Sequence, residues 1–269
     1  MTDLSVLTLN IQNPAPARAE RQLDWLAGRN EDVLVLTETR DSAGCRLLAE
    51  RFTAAGYFVH YPIPEAGDYG VMIVSRLPAT AGDFGARLGY LPARAAAVTI
   101  AAVPGPIEII GAYVPSRDAS PEKTDRKRKW LHACLTGLSA RPPERTVFVG
   151  DLNVLEPDHQ PRYRFFVEFE YDFYRRLTAD CGLVDAFRAL HPEAVEHSWV
   201  GRTGDGYRYD HLHTSADLAS SLLECAYIHH PRLVRLTDHS GLSARWSIDP
   251  GPRLVTSDPV TVGEPDTLF

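Results

Sequence analysis

The hydrophobic positions of the chain fall into short runs that recur from one end to the other. Leu4–Asn10 (LSVLTLN) and Asp32–Glu38 (DVLVLTE) are near-continuous apolar stretches that stop on a polar residue. That is how a strand buried on both faces reads. Between them, two prolines after Asn13 open a helical stretch carrying Leu23, Trp25 and Leu26, which ends near Gly28. Leu47, Leu48 and Phe52 predict a second helix. Strand-like runs follow at Tyr57–Tyr61, Gly70–Arg76, Arg94–Val103 and Ile107–Tyr113, with little helix between them. Leu131, Cys134, Leu135 and Leu138 share one face and predict a helix over 122–138. Thr146–Asn153 (TVFVGDLN) is another buried strand, and Phe166, Phe169, Phe173 and Leu177 fit a helix after it. Leu183–Phe187, Tyr207–Ser215, Leu222–His229 and Leu242–Ile248 read as the last strands. From Asp249 the chain is rich in Pro and Asp without periodicity, and is expected to fray at the surface.

This pattern predicts one domain over residues 1–248 and a Pro- and acid-rich tail over 249–269. Many strands with few intervening helices favour an α/β domain of two stacked sheets. A doubly wound parallel sheet needs a helix between nearly every strand pair, and the middle of the chain lacks them. Neither GxGxxG nor GxxxxGK[ST] occurs, so nucleotide folds of those types have no support.

Composition narrows the class. At 269 residues, 44% hydrophobic and 23% charged, the chain can bury a large core, which excludes a disordered tail protein or a disulfide-stapled miniprotein. The net charge of −7 argues against coating nucleic acid through overall charge, but not against a local phosphate grip. Cys45, Cys134, Cys181 and Cys225 form no CxxC pair and read as reduced, buried thiols. The N-terminus shows no secretory signal, and the longest apolar run, Ala95–Val103, falls far short of the ~20 residues of a membrane span. A cytoplasmic location without membrane contact is the expectation.

The candidate chemistry sits at the polar strand ends. Asn10, Glu38, Tyr113, Asp151 with Asn153, Asp210 and Asp238–His239 each end or precede an apolar run. A single polar strand end is usually where the chain meets water; the set as a whole fits phosphate-ester hydrolysis. Glu38 and Asp238 are hard oxygen ligands suited to Mg²⁺ or Mn²⁺, with Asn10 completing the shell without charge. A carboxylate bonded to an imidazole, here Asp210 with His239, fixes a tautomer and raises basicity. Asp151 suits proton exchange with the nucleophile or leaving oxygen, while Asn153 and Tyr113 suit hydrogen bonds to phosphoryl oxygens.

The ordered set LTLNIQ, LTETR, GAYVPS, GDLNV, GYRYDHLHTS and LTDHSGL resembles the endonuclease/exonuclease/phosphatase superfamily, and is closest in motif to its exodeoxyribonuclease III and abasic-site endonuclease branches. The resemblance spans Leu4 to Trp246. It implies a DNase I-like four-layered α/β sandwich, two mostly antiparallel sheets face to face with helices outside. It makes Glu38 the main metal carboxylate, assisted by Asn10 and Asp238, and Asp151 with Asn153 the pair at the nucleophile. Tyr113 becomes a phosphate-side donor, and Asp210 the residue that orients His239. Some positions depart from the family pattern: Ser116 stands where nucleic-acid members often carry Asn, and Gln12 where abasic endonucleases usually have Asp or Asn. The Gly206–Asp210 segment lacks the signature of the phosphoinositide phosphatases.

Around this set, Ser116, Arg117, Tyr207 and Arg208 are candidate substrate-binding residues. The run Arg117–Lys129 holds six cations against three acids, which fits either the flank of a phosphate groove or a solvated helix face. Arg162, Arg164, Arg175 and Arg176 border Phe165, Phe166, Tyr171 and Tyr174, a mix that either stacks bases or packs as core. Strand alternation puts Arg208 and Asp210 on one face, with Tyr207 and Tyr209 pointing away unless a bulge intervenes. The expected activity is a Mg²⁺- or Mn²⁺-dependent phosphoesterase acting on DNA or RNA. A phosphatase or phosphodiesterase of small metabolites or lipid head groups, and a non-catalytic binding module, are the competing readings. No protein partner is inferable.

Overall fold

A computed structural model describes residues 3–142 and 144–262 of the protein. Its strands in chain order are β1 (Leu4–Asn10), β2 (Val33–Thr39), β3 (Phe58–His60), β4 (Gly70–Ser75), β5 (Ala79–Gly82), β6 (Ala95–Ile100) and β7 (Ile107–Tyr113). The second half adds β8 (Thr146–Asp151), β9 (Leu183–Asp185), β10 (Trp199–Val200), β11 (Gly206–Tyr207), β12 (Asp210–Ser215), β13 (Leu222–Ile228) and β14 (Gly241–Trp246).

One sheet has the order β13-β14-β1-β2-β4-β3 and the other β5-β6-β7-β8-β12-β9, with β10 and β11 forming a separate hairpin. In each large sheet every neighbouring pair is antiparallel except the central one, β1–β2 in the first and β7–β8 in the second. A parallel pair needs a crossover, and each has an amphipathic helix in it. Pro16–Ala27 joins β1 to β2 and buries Ala19, Leu23 and Leu26. Pro121–Ser139 joins β7 to β8 and buries Trp130, Leu131, Cys134, Leu135 and Leu138. Pro121 opens that helix where its missing N–H costs nothing, and the Ser120 hydroxyl accepts from the Lys123 amide.

Alternation along the central strands builds three apolar layers. Val6, Val33, Val35, Val71 and Ile73 of the first sheet meet Val98, Ile109, Val147, Val149 and Leu212 of the second. The opposite faces carry Leu7, Leu9, Leu34 and Leu36 against Leu23, Leu26, Leu48 and Phe52, and Ile110 and Phe148 against Trp130, Leu131, Phe173 and Leu177. The result is helix, sheet, sheet, helix: the expected four-layered α/β sandwich. All four cysteines are buried and free.

Three local readings differ from the structure. The run Tyr207–Ser215 is not one strand; Arg208 and Tyr209 lie between β11 and β12, so alternation is broken there. Leu183–Phe187 ends its strand at Asp185, which caps a short helix over Ala186–Leu190. The segment from Asp249 does not fray as far as residue 262. Leu254 donates its amide to the Arg76 carbonyl and Ser257 to Ala55, while Arg253 pairs with buried Asp32. Val260 and Val262 pack against the first helical layer. Such anchoring rests on isolated residues and backbone groups, so no periodicity announces it.

Gly111 sits where the second sheet meets the first, and an added Cβ there would stand 2.6 Å from Val35 and 2.8 Å from Val71. Gly111→Val therefore overpacks the central layer and should lower unfolding stability by about 1–3 kcal/mol in a denaturant titration. Wild-type stability in that variant would show that the layer has slack.

Candidate active site

The carboxyl ends of both parallel pairs open on the same edge of the sandwich, and the amino ends of their antiparallel neighbours β14 and β12 join them. Asn10 ends β1, Glu38 lies near the end of β2, Tyr113 ends β7 and Asp151 ends β8. Asp151 is in register with Tyr113 on one side and Asp210 on the other. His239 precedes β14, whose Leu242 pairs with Thr8.

Glu38 reaches the site because β2 slips register against β4 between Thr37 and Thr39, and Glu38 takes φ = 59°. A non-glycine residue there is strained, and the bulge breaks alternation so that Thr37, Glu38 and Thr39 need not face alternate sides. Asn153 likewise sits at φ = 47°, with its amide N–H on Asp151 Oδ1 (3.0 Å) and its side chain on the Val114 carbonyl (3.1 Å). Gly150 is required by close approach: a Cβ would stand 2.1 Å from the Ala112 carbonyl oxygen.

Hydrogen bonds knit these residues together. Asn10 Nδ2 donates to Glu38 (3.0 Å) and to Asp151 (2.9 Å), and lies 3.5 Å from His239 Nε2. The Tyr113 hydroxyl donates to Glu38 (3.1 Å). His239 Nδ1 is 2.7 Å from Asp210 Oδ2, and the other Asp210 oxygen is buried without a partner among the described residues. Asp151, Asp210 and His239 form the one group of three ligand-type side chains close enough to share an ion among the described residues. With Glu38 and Asn10 adjacent, this oxygen-rich set and its unpartnered carboxylate oxygen fit a hard divalent cation.

The electrostatics follow from burial. Burial, with the charges of Asp210 and Glu38, pushes Asp151 up to about 7, against the opposing pull of His239 and the Asn10 hydrogen bond. Burial alone would lower His239, but the charge and hydrogen bond of Asp210, then Asp151 and Asp238, raise it to about 10. Burial and the neighbouring Glu38 and Asp151 hold Tyr113 well above its ordinary value, so it stays a donor.

The cavity at this point measures about 260 Å³ and takes in Glu38, Tyr113, Asp151, Asn153 and His239 together with Ser116 and Arg117. Three of the expected residues stand outside both the cavity lining and the hydrogen-bonded group behind it. Arg208 is fully buried, and its guanidinium is committed to Glu156 and Asp185 (2.9 and 2.7 Å), so it faces away from the cavity. Asp238 is exposed and held by the Trp199 indole N–H (3.0 Å), outside the Glu38–Asn10 group. Tyr207 lies outside the cavity among other aromatic rings.

Sequence reading missed Lys127 and Trp199 in the wall, and turned Tyr209 away from it unless a bulge intervened. Buried Lys127 donates to the Asn153 carbonyl and to Glu170, both at 2.5 Å, and Glu170 also accepts from Arg117 (2.6 Å). Its signal was available: a lysine one turn before Trp130 and Leu131, on the apolar stripe of its helix. Tyr209 reaches the wall because the chain between β11 and β12 is not strand. Trp199 carried no pattern at all.

The family model of the Endonuclease/Exonuclease/phosphatase family matches residues 7–219. No curated protein matches the sequence. Among solved structures, an AP endonuclease from Archaeoglobus fulgidus superposes with a TM-score of 0.76 at 24% identity, covering 91% of this chain and 99% of that one. The 3′-5′ exonuclease NExo from Neisseria meningitidis gives 0.75 at 25% identity, covering 90% and 99%. The 3′ phosphatase NExo from Neisseria, bound to a product DNA hairpin, gives 0.75 at 23%, covering 91% and 99%.

The pKa directions make a test in metal-free protein. Asp151 and His239 both lie above their ordinary values of 3.8 and 6.5, so the folded state binds these protons more tightly. The stability each confers is complete below the ordinary value and is lost as pH rises through about 7 and about 10 respectively. Thermal unfolding in EDTA should therefore show Tm falling from pH 5 to pH 8. Asp151→Asn should flatten that fall; an unchanged pH profile in the variant would contradict the assignment.

Proposed function

The chain belongs to the endonuclease/exonuclease/phosphatase family and is a hydrolytic phosphoesterase, and from that premise we propose that it cleaves phosphodiester bonds of DNA or RNA with the help of Mg²⁺ or Mn²⁺. The observation that carries this reading is the convergence of Glu38, Tyr113, Asp151, Asn153 and His239 on one small cavity, backed by buried Asn10, which donates to Glu38 and Asp151, and by buried Asp210, which bonds His239.

Glu38 and Asn10 would hold a divalent cation, which when bound would neutralise charge on the phosphoryl and leaving oxygens. The side chains do the rest. His239, kept protonated at neutral pH by Asp210, presents Nε2–H to a phosphoryl oxygen rather than acting as a base. Tyr113 donates its hydroxyl, and Asn153 is fixed by Val114 to offer its remaining amide hydrogen. Asp151, whose proton affinity is raised by burial and by the charges of Asp210 and Glu38, takes the proton of the attacking water as its oxygen bonds to phosphorus and the opposite ester bond breaks. Arg117 and Ser116 at the cavity rim suit an adjacent phosphate, and the rings of Phe166, Trp199 and Tyr209 suit a sugar or base more than a small inorganic ester.

The test is a panel with Mg²⁺ or Mn²⁺: duplex DNA with and without an abasic site, single-stranded DNA, RNA and small phosphoesters. Polynucleotide cleavage that EDTA abolishes is expected, with kcat lowered about 10²- to 10⁴-fold in Glu38→Ala and in His239→Ala. Rapid hydrolysis of small phosphomonoesters with polynucleotides untouched would overturn the substrate. Full activity in both variants would overturn the site.

A further inference from the structure

Asp210 and His239 bond to each other across a seam that no strand ladder closes. Asp210 opens β12 and His239 precedes β14, and these strands lie in different sheets. β12 pairs with β8 from Asp210 onward, but β9 on its other flank covers only His213–Ser215. No strand of its own sheet therefore steadies Asp210 on that flank, although its carboxylate must meet His239 Nδ1 at 2.7 Å. A small shift of either backbone spoils such a bond, because its strength falls steeply with distance and angle.

Ser198 fills the gap. It is fully buried, just before the β10–β11 hairpin. A serine hydroxyl commonly bonds within its own turn, as a cap or by bonding back to a helix. Here its partners lie eleven and twelve residues on: the hydroxyl accepts the amides of Tyr209 (3.0 Å) and Asp210 (3.1 Å). It also donates to the Tyr207 carbonyl (3.4 Å), so its one donor and both lone pairs are in use. The Ser198 carbonyl reaches the other half of the pair and accepts from the Ser240 amide at 2.7 Å, while Trp199 forms a lone antiparallel bridge with His239. One residue thus grips the backbone on both sides of the Asp210–His239 bond. Two further bonds hold the segments singly: Tyr227 donates to the Asp210 carbonyl (2.6 Å), and Thr237 to the Asn10 carbonyl (2.7 Å).

We propose that Ser198 is a positioning residue for the Asp210–His239 pair, a splint whose hydroxyl and carbonyl lock the two segments in the register at which Nδ1 meets Oδ2. With the pair in register the imidazole is fixed at the cavity wall; without it the ring is free to turn. Ser198 does not line the cavity, so its loss should slow turnover and leave substrate binding intact. For turnover this inference rests on the phosphodiesterase reading of the site; for the hydrogen bond it does not.

Proton NMR of the protein in EDTA reads the pair directly. A ring N–H held in a short bond to a carboxylate resonates downfield of the backbone amides, and the signal that His239→Gln removes is that proton. Ser198→Ala leaves two buried amides without an acceptor and should move this signal upfield or broaden it away. With Mg²⁺, on whichever polynucleotide of the panel is cleaved fastest, the same variant should lower kcat about 10- to 100-fold with KM near wild type. Ser198→Cys keeps the shape with a weaker acceptor and should fall between. Ser215→Ala is the control: Ser215 is equally buried at the far end of β12, and its hydroxyl accepts the Thr146 amide (3.1 Å). It should lose thermal stability as Ser198→Ala does while keeping the resonance and kcat. An unmoved resonance in Ser198→Ala, no such resonance in the wild type, or an equal loss of kcat in Ser215→Ala overturns the splint, and the phosphodiesterase reading then stands on its cleavage panel. A wild-type protein that cleaves no phosphodiester overturns that reading instead, and the resonance still decides the splint.

Discussion

The side-chain amide of Asn10 lies between the two sheets and donates to a carboxylate of each, Glu38 near the end of β2 and Asp151 at the end of β8. Buried like charges repel far more strongly than charges in water, because little dielectric screens them. A donor placed between them lets both stay within reach of one phosphate. Its position is not adjustable, since β1 is pinned by β14 on one side and β2 on the other. The two crossover helices fix the same geometry from outside, because packing Leu23 or Trp130 sets where each parallel pair ends. The site thus inherits its precision from the most buried part of the molecule.

That rigidity also sustains local strain. Glu38 at φ = 59° in the bulge of β2 and Asn153 at φ = 47° just past β8 each cost of order 1–3 kcal/mol, which the sheet holds in the first case and the bonds to Asp151 and Val114 in the second. In both places the strain breaks regular geometry and turns a functional side chain toward its neighbours. The Asp210–His239 pair is the counterpart without strain: a short hydrogen bond between β12 and the residue before β14, in which the carboxylate more than offsets the penalty of burying an imidazolium.

Much of this was legible before any coordinates. Apolar runs located the central strands, and their polar last residues named most of the site, because a buried strand reveals where it emerges. The two crossover helices showed themselves by one apolar face each. What stayed hidden has specific causes. Arg208 and Asp210 share a tripeptide, yet the break between β11 and β12 sends one into a buried ion-pair network and the other to His239. Asp238 adjoins His239 but is drawn outward by Trp199, a partner thirty-nine positions away. Lys127 was lost inside a basic run that reads as solvated surface, although its register placed it on the apolar stripe. Each of these depends on a contact between distant segments, which one-dimensional pattern does not encode.

Net charge, too, answers to place rather than sum. Screening limits the reach of an exposed charge to about 8 Å at physiological salt, so surface and tail acids weigh little at the cavity. What matters there is how the wall is divided. On one side Glu38, Asp151 and Asp210 face a single imidazole. On the other, Glu170 is one carboxylate shared by two cations, Arg117 and Lys127. The cavity is therefore negative at one wall and positive at the other, although the chain as a whole carries −7. A phosphodiester with its divalent counter-ion has the matching polarity: the cation belongs with the carboxylates, and the neighbouring phosphate with the wall where positive charge is in excess.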